Sequence, residues 1–112
     1  MIKYDLSKFS PTPFGRYPDD GKFNGTAFRK KLIELLNEAK VKNDTLEINF
    51  DNISLGIGSS FLEESFGGLV RKGYFNKDDL IGNKKLLKIK SNQAYYIEEI
   101  NNYISEAEVE KS

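Results

Sequence analysis

From about Asn24 to Lys40 apolar side chains recur with a helical period. Phe28, Leu32, Leu35, Leu36 and Ala39 share one face, and Arg29, Lys30, Glu34, Asn37 and Glu38 lie opposite. Asn24 or Thr26 can cap its start. The period then drops to two: Leu46, Ile48 and Phe50 alternate with Glu47, Asn49 and Asp51, which predicts a strand with one buried face. A second helix is expected from about Ser60 to Lys72, with Leu62, Ser65, Phe66, Leu69 and Val70 inward and Gly73 ending it. Leu86 to Ile89 reads as another strand. A last helix is expected over about Asn92 to Glu108, burying Ile97, Ile100, Ile104 and Ala107.

Before Asn24 the chain is punctuated by Pro11, Pro13, Gly15, Pro18 and Gly21, so short extended pieces joined by turns are expected there. Met1–Asp5 and Phe14–Tyr17 are the candidate strands, and Pro18-Asp19-Asp20-Gly21 is a turn. Alternating strands and helices predict an α/β fold with parallel crossovers. The expected architecture is a small mixed β-sheet of about four to five strands with three helices mainly on one face. Residues 1–112 form a single domain, with a polar tail over 108–112 expected to fray.

Composition narrows the chemistry. Hydrophobic residues make up 38% and charged residues 30%, ordinary globular usage. The 17 basic and 17 acidic residues cancel, which argues against a protein whose main task is gripping a phosphate backbone. There is no cysteine and no histidine. Thiol nucleophiles, thiolate metal sites, the commonest general base and the commonest metal ligand are therefore all missing. No phosphate-cradling glycine signature stands in their place, and Asp19-Asp20-Gly21 lacks the spacing of a calcium loop. Neither metal nor organic cofactor is expected. The start, MIKYDLSKFS, lacks the apolar core of a signal peptide, and no stretch has the roughly 20 apolar residues of a membrane span. The expected compartment is the cytoplasm.

Two stretches carry more than pattern. One runs from Phe14-Gly15-Arg16-Tyr17 through Asp20-Gly21 to Gly25 and Phe28-Arg29. The other is Gly58-Ser59-Ser60-Phe61-Leu62-Glu63-Glu64-Ser65-Phe66-Gly67-Gly68-Leu69. Together they closely resemble the STAS-like domain family of unknown function, found in bacteria and their mobile elements. More distantly, strand Leu46–Phe50, a loop and Ser59-Ser60 at a helix start resemble STAS anti-sigma-factor antagonists. In those proteins a serine at this helix start is phosphorylated by a partner kinase, which breaks the complex. They place an aspartate before the serine pair and a glycine after it, where this chain has Gly58 and Phe61. The resemblance implies a non-enzymatic regulatory module that binds a protein, a histidine-kinase-type ATPase or similar. The candidate contact residues are Gly58, Ser59, Ser60, Phe61 and Glu64 at the helix start, with Ser60 as the candidate phospho-acceptor. Arg16, Tyr17 and Asp20 join them from the loop-rich segment, where binding residues concentrate and an arginine beside a tyrosine is a common hot-spot pairing.

The same residues also have structural readings. Ser60-x-x-Glu63 fits a capping box, in which each side chain takes the other's free backbone N–H. A helix start of this kind also accepts anions. Gly67-Gly68 within a helix suggests close packing on the sheet or the approach of a partner backbone. Lys84, Lys85, Lys88 and Lys90 form the only basic cluster, which edge-strand protection explains without nucleic acid. Two alternatives stand beside the regulatory reading. One is a mobile-element inhibitor or defence-associated binding protein using the same surface. The other is a small acid/base enzyme built on Asp20, Glu63 or Glu64, although adjacent glutamates on a helix point apart.

Overall fold

A computed structural model describes residues 1–53 and 56–110. Three strands form the sheet in the order β1-β2-β3: β1 (Ile2–Asp5), β2 (Leu46–Asn49) and β3 (Leu87–Lys90). Both pairings are parallel, with Ile2 beside Leu46 beside Leu87 and Tyr4 beside Ile48 beside Ile89. The register gathers the apolar side chains on one face. Lys3, Asp5, Glu47, Asn49, Lys88 and Lys90 take the other, where all are exposed or half-buried.

The helices supply what the apolar face packs against. They are α1 (Leu6–Phe9), α2 (Gly25–Val41), a rod, α5 (Lys77–Ile81) and α6 (Ala94–Glu106). The rod consists of α3 (Ser59–Leu62), a π-helical turn (Glu63–Gly67) and α4 (Gly68–Arg71), joined without a break in helical dihedrals. Asn24 caps α2, its side chain accepting from the Ala27 N–H at 2.9 Å. Phe28, Leu32, Leu36 and Ala39 of α2 are buried against Phe61, Phe66 and Leu69 of the rod and Ile48 of the sheet. Aromatic rings bind the layers: Phe28 stacks on Phe61 at 5.6 Å, and Phe50 meets both Phe66 and Tyr96.

The expected one-sided helical cover is present, but in place of the expected mixed sheet of about four to five strands the described residues form a smaller, wholly parallel one. Among the described residues the sheet has three strands, and Phe14–Tyr17 is not one of them. Its backbone is satisfied locally. The Phe14 N–H donates to the Phe23 carbonyl, and the Arg16 and Tyr17 N–H groups donate to the Asp20 carboxylate. With the N–H groups of Phe14, Arg16 and Tyr17 used within the loop, the segment has no run of donors left for a ladder. The helix count is too low, because α1 and α5 were not expected. Residues 108–110 run back along α4, with the Glu110 N–H donating to the Arg71 carbonyl at 2.8 Å, and 111–112 lie outside the described residues.

Candidate functional site

The loop before α2 and the start of the rod meet across a cleft of about 410 Å³. Phe14, Gly15, Arg16, Tyr17 and Asp20 line one wall, and Gly58, Ser59, Ser60 and Phe61 the other. The structure thus gathers every residue named above for partner contact except Glu64. Phe14 and Tyr17 are 68% and 53% exposed, large values for aromatic rings. Ser59 and Ser60 are exposed as well, whereas Phe61 turns fully inward.

Each wall is held from behind. Asp20 receives the backbone of Arg16 and Tyr17, and a side chain added at Gly15, where φ is +80°, would collide with Asp20. The loop is pinned to α2 by Gly25 N–H to the Gly15 carbonyl and by Thr26, whose N–H and hydroxyl both donate to the Arg16 carbonyl. On the opposite wall, the buried N–H of Ile57 donates to the Tyr96 hydroxyl at 2.9 Å. That bond fixes the chain just before the helix start.

Ser60 does not cap the rod. The helix begins one residue earlier than expected, with Gly58 in the cap position and no side chain accepting there. Glu63 likewise does not reach back to Ser60. It binds Arg16 and Arg71. The capping box is therefore corrected: Ser59 and Ser60 line the cleft, and neither side chain caps the helix.

Beneath the cleft lies a charge network that the sequence reading missed. Glu64 is buried rather than presented to a partner, its side chain only 3% exposed. Arg29 donates to its carboxylate at 2.6 Å and to its backbone carbonyl at 2.8 Å. Arg71 uses one terminal nitrogen on Glu63 and the other on Glu64 at 3.1 Å, and Arg16 sits 3.5 Å from Glu64. Arg29, placed on the polar face of α2 by periodicity, is thus a buried counter-ion. Glu63 and Glu64 do not point apart: both converge on Arg16 and Arg71.

Local features of the rod explain this arrangement. The Ser65 hydroxyl bonds the Phe61 carbonyl at 2.7 Å, competing within the backbone ladder, and the turn around it is π-helical. Gly67 and Gly68 follow. A Cβ at Gly68 would lie 2.5 Å from the Arg29 guanidinium, and one at Gly67 would crowd Glu63 and Tyr103. The glycine pair makes room for the arginine and for α6, not for the sheet. Burial alone would raise the Glu64 carboxyl. The hydrogen bond from Arg29 and the charges of Arg71, Arg29 and Arg16 outweigh it and hold the group below its ordinary value. The hydrogen bond to Glu63 raises Arg16 further.

Among the described residues no cluster of three acidic side chains has metal-binding geometry, and no helix is long and apolar enough to cross a membrane. No curated protein and no solved structure matches the chain. The family model for a STAS-like domain of unknown function matches residues 24–95. That span takes in α2, the sheet strands β2 and β3, the rod and the start of α6, while the loop bearing Arg16, Tyr17 and Asp20 precedes it. With well over half of its length matched, the chain belongs to the STAS-like domain family of unknown function.

Proposed function

We propose that this domain is a non-enzymatic regulatory module that docks a protein partner, an ATPase of histidine-kinase type, in the cleft between residues 14–20 and 58–61. The observation that carries this reading is the pairing of two exposed aromatic rings, Phe14 and Tyr17, with the uncapped, exposed serines of the rod start. Exposed aromatics on a pinned loop provide contact area at small entropic cost, which is how binding surfaces concentrate their energy. Arg16 ties that loop to the rod through its ion pair with Glu63, which links the two walls. Ser60 is the point of control: a phosphoryl group there places new charge between the walls and ends the contact.

An acid/base enzyme draws no support from the same geometry. A general acid at neutral pH needs a raised carboxyl pKa, and Glu64 is lowered. Its carboxylate is neutralised by arginines.

Affinity capture from the native host tests the proposal, with the parent protein and Tyr17→Ala as paired baits. An ATPase-domain protein recovered by the parent and lost with Tyr17→Ala is the expected result. Equal recovery by both baits would remove the cleft from the contact, and recovery of no protein would remove the function.

A further inference from the structure

β3 is an edge of the sheet. The Leu46 N–H donates to the Leu86 carbonyl at 2.7 Å and the Phe50 N–H to the Lys90 carbonyl at 2.9 Å. In a parallel ladder these bonds fix the phase: even-numbered residues of β3 turn their backbone groups toward β2, and Leu87 and Ile89 turn theirs outward. Among the described residues no hydrogen bond reaches the N–H or carbonyl of Leu87 or Ile89. A groove of about 220 Å³ runs along this edge, walled by Ile81 of α5 and by Ile97 and Asn101 of α6. Ile81 and Ile97 are only partly buried, so the groove floor is apolar on the helix side of the sheet.

The other side of the same edge is basic. Lys88 and Lys90 stand exposed on the open face, and Lys85 precedes the strand. Lys88 has one loose partner, Glu47 at 3.8 Å, and neither Lys85 nor Lys90 has an ion pair among the described residues. Lys85 also holds φ at +44°, a left-handed conformation that is unfavourable for a residue with a Cβ. A second copy pairing edge to edge would set lysine rows against each other, so self-association is disfavoured.

We propose that the β3 edge accepts an extended protein segment whose residues alternate apolar and acidic, adding a fourth strand. Its backbone would satisfy the outward groups of Leu87 and Ile89. Its apolar side chains would meet Ile81 and Ile97, and its carboxylates would lie beside Lys88 and Lys90. This surface is separate from the cleft and does not depend on the function assigned to it.

The test uses three blocked synthetic heptapeptides: valine alternating with glutamate, valine alternating with lysine, and the acidic peptide with a central proline. Amide exchange of the intact domain is followed by NMR. The acidic peptide is expected to slow exchange at Leu87 and Ile89, with the lysine and proline peptides without effect. Lys85→Glu/Lys90→Glu should weaken the acidic peptide about tenfold or more while keeping the parent's melting temperature. Four results would overturn the proposal: no protection at about 1 mM acidic peptide, equal protection by the proline peptide, protection confined to the cleft, or peptide-free protection that grows with protein concentration and so marks a second copy.

Discussion

Glu64 keeps its charge where solvent hardly reaches it, because three guanidinium groups surround it. Removing one member of such a buried pair leaves the other uncompensated, at a cost of about 3–5 kcal/mol. Glu64→Ala should therefore lower unfolding stability by that amount, measured by urea titration at neutral pH. Its lowered carboxyl pKa sets the sign of the pH response. Stability from a lowered carboxyl is complete above the unfolded value, about 4.3, and is lost as pH falls through the folded value. Glu64→Gln should accordingly show a flatter loss of stability than the parent below about pH 4. Ser60 behaves oppositely. It makes no cap, so Ser60→Ala should change stability by less than about 0.5 kcal/mol. A larger loss in a thermal melt would restore the capping box.

At the scale of elements, the rod is the part least legible in sequence. Its existence follows from the spacing of Leu62, Phe66, Leu69 and Val70, and Gly73 ends it at φ +78° as expected. Its π-helical turn leaves no periodic signature. Ser60 and Glu63 look like a capping box because nothing in the local pattern shows that Gly58 takes the cap position and that Glu63 binds Arg16 and Arg71. Arg29 departs from its pattern because periodicity sorts arginine to the solvent side, and only tertiary contact shows a buried carboxylate waiting for it. The short α1 and α5, at four and five residues, contain too little of a helical period to detect. Strands β2 and β3 are easier to read, since both alternate cleanly. The cleft residues are legible through the family resemblance at the serine pair and through the loop position of Arg16, Tyr17 and Asp20, but Tyr96, which holds the Ile57 N–H, carries no such signal. Tyr96→Phe should cost about 1–3 kcal/mol, read by thermal melt, because it leaves a buried donor unpaired. Gly68→Ala gives the sharper test of the rod. Alanine is intrinsically favoured over glycine in a helix by about 1 kcal/mol, yet here its Cβ meets Arg29 at 2.5 Å. The substitution should destabilise, and a stabilising effect in the same melt would refute the packing described.

Taken whole, the described residues form a three-stranded sheet with its helices on one face, and their charges are arranged to join distant pieces of chain. Arg16 brings the loop to Glu63, Arg71 joins Glu63 and Glu64, and Arg71 also lies 3.5 Å from Glu110 in the returning tail. The network therefore holds the cleft walls from beneath while leaving Phe14, Tyr17, Ser59 and Ser60 free at the surface. That division between a locked base and an open rim supports the docking role proposed for the cleft. The most direct measurement is a binding titration of the captured ATPase against the parent and Ser60→Asp, with thermal melts of both. Aspartate in the first turn of a helix suits the positive helix end, so Ser60→Asp should fold as stably as the parent. It should nevertheless bind the ATPase at least about tenfold more weakly, because its carboxylate enters the contact. Equal affinity for parent and variant at equal stability would contradict the account and place the partner elsewhere on the domain.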